Sequence, residues 1–402
     1  MRKALLSLGL LALASTSALA QTQAQAETSA PVACGGDLQA FLEGVKAEAI
    51  ARGVPAEVAD RALAGASIDR KVLSRDRAQG VFKQTFTEFS KRTVSKARLD
   101  IGAQKMREYA EVFARAEQEF GVPAPVITAF WAMETDFGAV QGDFNTRNSL
   151  VTLAHDCRRP EMFRPQLLAA IDMVKHGDLD PETTTGAWAG EIGQVQMLPE
   201  DIIAYGVDGD GDGHVNLKKS APDAILTAAK FIQSLGFKAG QPWIQEVIVP
   251  DQLPWEKTGL QPGMAAGDWF ALGVQPRDGN TAHNSLEASL VLPQGRKGVA
   301  FLTYPNFNIY LEWNQSFIYT TSAAYFATRL AGAPPYQSGN PDPGLGDAEM
   351  KALQEKLQAL GHNVGKIDGI LGAGTRTALQ KEQLKLGLPA DGWATPEVLN
   401  AL

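Results

Sequence analysis

A glutamate near the end of an apolar helix-forming segment is the first residue in this sequence that could do chemistry. The segment from Pro123 to Glu134 opens with prolines suited to a helix N-terminus, and Gly138 is predicted to end the helix. Helical spacing places Glu134 on one face with three apolar side chains: Ile127, Phe130 and Trp131. Among apolar groups the pKa of a carboxyl rises, which suits protonation of a glycosidic oxygen. The alternative is a partly exposed glutamate near a helix end.

An acidic loop is the second feature with possible chemistry. It contains three alternating aspartates followed by a glycine: Asp208, Asp210, Asp212 and Gly213. These match positions 1, 3, 5 and 6 of an EF-hand calcium loop, and His214 would supply a backbone carbonyl at position 7. Position 12 is Lys219 rather than glutamate. We expect a structural calcium ion here and no cofactor for the chemistry; the alternative is a flexible acidic turn.

The N-terminus has the pattern of a secretory signal peptide. Arg2 and Lys3 precede an apolar stretch, residues 4–14, that is too short to span a bilayer. An Ala-x-Ala site predicts cleavage after Ala20 and export to the periplasm, with an uncleaved anchor as the alternative. In an exported chain we expect Cys34 and Cys157, the only cysteines of the sequence, to pair, rather than to remain as two buried free thiols.

The composition excludes several classes of protein. The 402 residues have an ordinary apolar share of 45% and a formal net charge of −8, without a run of basic residues. An acidic chain of this kind is a poor candidate for binding nucleic acid or an anionic membrane surface. We expect no transmembrane segment and a monomer. None of the five histidines forms an H-E-x-x-H zinc motif.

The order of patterns along the chain predicts a predominantly helical α+β protein with several parts. Residues 1–20 form the signal peptide and 21–33 a disordered lead-in. Residues 34–335 form the main domain, with a helical pattern to about residue 237, a small β insertion over 241–304, and a returning helix over 315–330. Residues 336–347 form a linker rich in proline and glycine. Residues 348–402, here called the C-terminal module, form a compact helical unit.

Several segments of the main domain together resemble the lytic murein transglycosylases of the membrane-bound B type. Ala132-Met-Glu134-Thr-Asp-Phe-Gly138 is similar to the E-T-x-[WFY]-G motif of that family, in which the glutamate is the sole catalytic acid and base. Residues 185–199 are similar to its SWAGAMGxxQFMP segment and residues 208–217 to its DGDGxxxL segment. Residues 313–319 are similar to its late YNxSxxY segment. The resemblance covers residues 34–333 and implies a lysozyme-like fold.

The resemblance also implies a reaction. The glutamate protonates the oxygen between N-acetylmuramic acid and N-acetylglucosamine, then takes the proton of the 6-hydroxyl that attacks the anomeric carbon. The product ends in 1,6-anhydromuramic acid, and no water is consumed. A hydrolytic muramidase is the alternative and would need a second carboxylate, for which Asp136 and Asp143 are the nearest in sequence. A wall-binding scaffold without activity is a third possibility.

Site residues follow from the same resemblance. Gln196 is expected to bind the sugar near the scissile bond, and Asn314 and Tyr319 to hold the acetamido group or Glu134. The remaining implied positions are the substrate-binding Arg158 and Arg159, the loop ligand Asp223, and the aromatic Phe231 and Trp313. The two arginines could instead pair with Glu161. Ala187 replaces a serine, and the two aromatic residues replace tyrosines, so we expect an aromatic wall with fewer polar contacts.

The C-terminal module resembles the type 1 peptidoglycan-binding domain, a three-helix unit. The resemblance rests on Leu353-Gln354, the two Asp-Gly turns at Asp368 and Asp391, and the Thr375-Arg376 helix start. Glu382 stands where that domain usually has an aromatic residue. The resemblance implies that the chain binds peptidoglycan glycan strands; the alternative is a module that only packs on the enzyme.

Overall fold

The computed structural model describes residues 33–78, 84–260 and 263–402. The predicted signal peptide and all but the last residue of the lead-in therefore lie outside the described residues. Within these ranges, no helix combines the length and the apolar character needed to cross a membrane.

Helices dominate the main domain, as predicted. Before the sheet they are α1 (Leu38–Ala51), α2 (Ala56–Leu63), α3 (Arg70–Arg77), α4 (Phe86–Thr93), α5 (Lys96–Glu108), α6 (Ala110–Phe120), α7 (Ala124–Thr135), α8 (Thr146–His155), α9 (Pro160–His176), α10 (Pro199–Tyr205) and α11 (Ala221–Ser234). After it come α13 (Phe307–Trp313) and α14 (Phe317–Leu330), while α12 (Ala266–Ala271) lies within the β insertion. The predominantly helical α+β prediction is confirmed.

Local sequence explains where several helices start and stop. The Asp37 side chain caps α1 by accepting a hydrogen bond from the Ala40 amide at 2.9 Å, as expected of an N-cap. The helical segment from Ser95 to Gly121 is not one helix, because the backbone at Tyr109 leaves helical geometry and divides it into α5 and α6. Helix α7 ends at Thr135, three residues before the predicted stop at Gly138.

Helix α7 occupies the centre of the main core. Its residues 126–132 are buried all round the helix, as a helix surrounded by others requires. It packs against α5, α6, α11 and α14. The core therefore surrounds the helix that carries Glu134 along its length, up to its last turn.

The β insertion is a five-stranded antiparallel sheet in the order β4-β6-β7-β3-β5. Its strands are β3 (Ile244–Ile248), β4 (Met264–Ala265), β5 (Gln275–Pro276), β6 (Glu287–Val291) and β7 (Ala300–Thr303). In its centre Ile244 pairs with Thr303 and Leu290 with Leu302. A separate two-stranded pair joins two loops of the main domain: β1 (Phe144–Asn145), which follows α7, and β2 (Thr185–Gly186), which follows α9.

The C-terminal module has the predicted three helices, α15 (Asp347–Ala359), α16 (Ala373–Lys385) and α17 (Pro396–Ala401). Two glutamines hold its Asp-Gly turns in the same way. The Gln354 side-chain oxygen accepts hydrogen bonds from the Asp368 and Gly369 amides at 3.1 and 2.9 Å. The Gln383 oxygen accepts one from the Gly392 amide at 2.9 Å. Glu382 is buried and pairs with His362 and Lys385.

The segment predicted as a linker is bound to the main domain. The Asn340 backbone amide donates a hydrogen bond to the Lys297 carbonyl at 2.8 Å, and the Lys297 side chain forms an ion pair with Asp342 at 2.8 Å. These contacts therefore fix the predicted linker, although its composition predicted a flexible segment. The Cys34–Cys157 disulfide is confirmed, with the two Cα atoms 5.3 Å apart.

Candidate active site

Glu134 lies in the last turn of α7, where an unusual backbone ends the helix. Asp136 and Phe137 both have positive φ values, 53° and 60°, and Gly138 follows with 88°. The Thr135 hydroxyl donates to the Gln194 carbonyl at 2.5 Å and accepts from the Gly138 amide at 2.8 Å. The helix end is thus fixed to the loop between β2 and α10.

The described residues contain three non-glycine residues with positive φ, and all of them flank this helix end or that loop: Asp136, Phe137 and Gln196. Such conformations cost free energy and persist where surrounding structure imposes them, typically at functional sites. Their clustering supports the assignment of the end of α7 as the active site.

Two donors hold one oxygen of the Glu134 carboxyl group. The Trp313 indole nitrogen donates to Oε1 at 2.9 Å, and the Tyr319 hydroxyl donates to the same oxygen. Both donors come from the α13–α14 corner. Because Oε1 already accepts two hydrogen bonds, Oε2 is the oxygen available to carry a proton.

Burial raises the pKa of Glu134, although the hydrogen bonds from Tyr319 and Trp313 oppose this and Glu191 adds to it. The net direction is upward, as predicted for a carboxyl on an apolar face. A carboxyl group with a raised pKa and one free oxygen can act as a general acid.

Aromatic side chains form a wall beside Glu134. Trp313 stacks on Phe130 with ring centroids 4.3 Å apart, and Phe231 meets Trp313 edge-on at 5.5 Å. The aromatic wall is therefore as predicted. The expectation that Trp313 would lose a polar contact is wrong, because its indole nitrogen donates a hydrogen bond to Glu134.

Two further predicted binding residues lie in the segments next to Trp313 and Thr135, and both side chains bind backbone groups. Asn314 ends α13, and its side-chain oxygen accepts a hydrogen bond from the Ser316 amide at 2.9 Å. Gln196 lies in the loop tied to α7, and its side-chain nitrogen donates to the Gly193 and Gln141 carbonyls at 2.8 and 3.2 Å. Tyr319 is the predicted partner that the structure brings into contact with Glu134.

Arg158 and Arg159 have a partner that the sequence did not predict. Both guanidinium groups pair with Asp76 on α3, whose side chain is almost fully buried, rather than with Glu161. Burial raises the pKa of Asp76. The hydrogen bonds and charges of the two arginines together outweigh burial, so the net direction is downward. The two arginines therefore join the start of α9 to α3. These contacts do not support their expected role of meeting substrate carboxylates.

A second carboxyl group, Glu191, belongs to the loop between β2 and α10 and was missed from sequence. Burial raises its pKa, and it interacts electrostatically with Glu134. The two carboxylates considered from sequence differ from it: Asp136 pairs with Arg98 at 2.7 Å, and Asp143 is exposed. The signal that could have found Glu191 is its replacement of an alanine in the SWAGAMG segment.

The acidic loop brings three predicted ligands together. One oxygen from each of Asp208, Asp210 and Asp212 lies within 4.8 Å of the others, an arrangement that could hold a cation. Hydrogen bonds from loop amides, led by that of Gly213, lower the pKa of Asp208. The His214 ring pairs with Asp178 at 2.9 Å, which raises the pKa of His214 and leaves only its carbonyl for a cation.

Asp223 is not part of this carboxylate cluster. Its Oδ1 accepts from the Gly209 amide at 2.8 Å and the Ser220 hydroxyl at 2.9 Å. Its Oδ2 accepts from the Asn216 amide at 2.7 Å. The side chain therefore holds the loop backbone by hydrogen bonds, and its role as a calcium ligand stays a prediction.

Comparison with known proteins places these features in a family. The model of the transglycosylase SLT domain family matches residues 37–328, and that of the peptidoglycan binding domain family matches residues 346–402. Membrane-bound lytic murein transglycosylase B of Escherichia coli (strain K12) is 28% identical over 230 residues. That alignment spans 57% of this chain and 62% of the curated relative's length.

Solved structures agree with the family match. SltB3 from Pseudomonas aeruginosa, in complex with NAG-anhNAM-pentapeptide, has a TM-score of 0.83 at 34% identity. The match covers 91% of this chain and 99% of that one. The soluble lytic transglycosylase SltB1 from Pseudomonas aeruginosa has a TM-score of 0.65 at 26% identity, covering 72% of this chain and 98% of that one.

Proposed function

The chain belongs to the transglycosylase SLT domain family of lytic transglycosylases and ends in a peptidoglycan-binding domain; from this premise we propose that it cleaves peptidoglycan without water. The bond is the β-1,4 linkage between N-acetylmuramic acid and N-acetylglucosamine, and the product carries a 1,6-anhydromuramic acid end. The observation that carries the proposal is the partly buried Glu134 carboxyl, with two donors on one oxygen and a raised pKa.

Glu134 acts first as an acid. Its Oε2 gives a proton to the bridging oxygen, the bond from that oxygen to the anomeric carbon of N-acetylmuramic acid breaks, and the N-acetylglucosamine side leaves as an alcohol. The acetamido oxygen of the muramic acid residue stabilises the positive charge. Trp313 and Tyr319 stabilise the carboxylate that forms, because both already donate to Oε1.

Glu134 then acts as a base. The carboxylate takes the proton of the 6-hydroxyl of the same sugar, whose oxygen attacks the anomeric carbon and closes the anhydro ring. Glu134 is again protonated, so one carboxyl serves both steps. We propose that Gln196 and Asn314 contact the sugar, and that Phe231 and Trp313 stack against it.

Three supporting assignments accompany the reaction. We propose that Asp208, Asp210 and Asp212 hold a structural calcium ion, because their clustered carboxylates repel one another without a cation. We propose an exported, periplasmic location, which the disulfide and a wall substrate support. We propose that the C-terminal module increases the local concentration of the enzyme on peptidoglycan.

Release of dye from labelled peptidoglycan tests the role of Glu134. We expect Glu134→Gln to reduce the rate at least about 100-fold, because loss of a general acid commonly costs this much. Glu182→Gln is the matched control, since it removes the same charge from an exposed position, and it should retain activity. Binding of both variants to insoluble peptidoglycan shows that they are folded. Full activity of Glu134→Gln would refute the proposal.

A further inference from the structure

Both donors to Glu134 belong to the α13–α14 corner, residues 313–319. Trp313 ends α13, and Tyr319 is the third residue of α14. The Ser316 hydroxyl caps α14 by accepting a hydrogen bond from the Tyr319 amide at 3.4 Å. The direction of the two donors therefore depends on how the first turn of α14 is held.

One side of this corner borders a cavity. The cavity has a volume of about 450 Å³ and lies between the corner and the C-terminal module. Ser316, Phe317 and Ile318 line it from the corner, and Ile370 and Leu371 line it from the module. Because close packing is absent on this side, individual contacts must hold the first turn of α14.

Arg376 of the module supplies such a contact. Its guanidinium group lies over the Phe317 ring, 5.2 Å from the ring centroid, and Phe317 is the first residue of α14. The same group donates to the Leu292 and Pro293 carbonyls at 3.3 and 2.7 Å, which fixes it to the β insertion. A cation over an aromatic ring is attracted to the ring face. Arg376 therefore joins the module, the β insertion and the start of α14.

We propose that Arg376 is a positioning residue for the reaction: its contact with Phe317 holds the α13–α14 corner where its two donors reach Glu134. The docked module is then part of the catalytic unit as well as a binding module for the wall. This inference rests on the proposed function, in which Trp313 and Tyr319 stabilise the carboxylate formed in the first step.

A tether would act differently from a positioning contact. A module that only concentrates the enzyme on peptidoglycan affects turnover of the insoluble wall and leaves turnover of a small soluble substrate unchanged. A contact that directs donors toward Glu134 affects turnover of both substrates. A soluble muropeptide is therefore the informative substrate.

Steady-state kinetics on a soluble muropeptide that contains the scissile linkage measures the effect. We expect Arg376→Ala to lower kcat about 3- to 10-fold with little change in KM, because the two donors are misdirected rather than lost. Lys381→Ala, which removes an exposed cation from the same helix, is the matched control and should keep the parental kcat.

The pH dependence of kcat/KM distinguishes positioning from a loss of folded protein. Trp313 and Tyr319 lower the pKa of Glu134 by donating to it, so weaker donation raises that pKa. The alkaline limb, which reports loss of the proton from the free enzyme's acid, should therefore move to higher pH in Arg376→Ala. A smaller folded fraction would lower the rate at every pH and leave the limb in place.

A double-mutant cycle tests the path through Phe317. Phe317→Leu keeps an apolar side chain and removes the ring beneath Arg376. Because Arg376 acts through this ring, the variant with both changes should be no slower than the slower single variant. Rate losses that multiply would show that the two side chains act independently and would overturn the proposed path.

The outcomes separate this inference from the proposed function. A lower kcat with an alkaline limb at higher pH in Arg376→Ala supports it. A parental kcat, or a lower kcat with an unmoved limb, would overturn it. Should Arg376→Ala fail to fold, Phe317→Leu gives the same two readouts and the same decision. A parental enzyme that leaves the muropeptide intact would instead refute the proposed function itself.

Discussion

The Glu134 carboxyl group combines two opposing environments at the scale of one residue. Burial favours its neutral form, whereas the donors Trp313 and Tyr319 favour its ionised form. A group that must give a proton and then take one back needs both states within reach at the same pH. This balance fits donors that converge on one oxygen, while the other accepts no hydrogen bond from the described residues.

Loss of the Tyr319 hydroxyl should slow the reaction. We expect Tyr319→Phe to lower kcat by about 10- to 100-fold, because the carboxylate formed in the first step loses a buried donor. Tyr310→Phe is the matched control: Tyr310 is fully buried nearby, and its hydroxyl has no hydrogen-bond partner in the described part of the protein. Steady-state kinetics on peptidoglycan compares them. Equal activity of the two variants would contradict the role of Tyr319.

Glu134 should also lower stability at high pH. Its pKa is raised in the folded protein, so its contribution to stability is present below the unfolded pKa and is lost as pH rises through the folded pKa. Glu134→Gln lacks this loss. We expect its melting temperature to exceed that of the parent by about 2 °C near pH 8 and by less near pH 5. Thermal unfolding at both pH values checks this, and a pH-independent difference would contradict it.

Residue types alone predicted part of this site. Glu134, Trp313 and Tyr319 could be found because they lie in short motifs with fixed order. The Asp76 partner of Arg158 and Arg159 could not, since those residues are more than 80 positions apart and meet only when α3 packs against α8, whose end they follow. The effect of Glu191 on Glu134 likewise depends on a loop and a helix end that meet in the folded chain.

Helices, strands and loops position these residues at the next scale. The apolar run of α7 predicted a central helix, but its end at Thr135 depends on the left-handed residues that follow and on the contact of Thr135 with the Gln194 carbonyl. The sequence predicted a β insertion over 241–304, and strands β3 to β7 lie within that range, because their β-branched and apolar runs stand between turns. The break at Tyr109 had no marker such as glycine or proline.

Calcium should stabilise the acidic loop and the elements that it joins. With the weak affinity typical of extracellular sites, about 5 mM calcium would add roughly 1–2 kcal/mol to the free energy of unfolding. We expect a rise in melting temperature with calcium that Asp210→Asn abolishes and the exposed-aspartate control Asp251→Asn retains. Thermal unfolding with calcium or with a chelator measures it. No calcium dependence would leave the cluster as an acidic turn.

The whole molecule places its C-terminal module against the main domain. Arg376 on α16 donates to the Pro293 and Leu292 carbonyls at 2.7 and 3.3 Å, and Gln380 donates to the Thr258 carbonyl at 2.9 Å. Burial lowers the pKa of Arg376 to about 10. These contacts and those of the linker segment fix the position of the module on the main domain. The domain boundaries themselves stay a prediction.

Removing the Arg376 side chain should release the module. We expect Arg376→Ala to leave two main-domain carbonyls without their donor and to increase proteolytic cleavage within residues 336–346 several-fold. Lys381→Ala, an exposed cation on the same helix, is the control and should be cleaved at the parental rate. Limited proteolysis with mass analysis of the fragments measures both. Equal rates for the two variants would show that Arg376 does not hold the module.

Mass spectrometry of peptidoglycan digested by the mature protein tests the central claim most directly. A lytic transglycosylase releases muropeptides lighter by one water than the corresponding reducing muropeptides, and Glu134→Gln should release none. Reducing ends would instead identify a hydrolase and would make Glu191 the first candidate for its second carboxylate. Intact peptidoglycan with the mature protein, despite binding to it, would contradict the enzymatic account altogether.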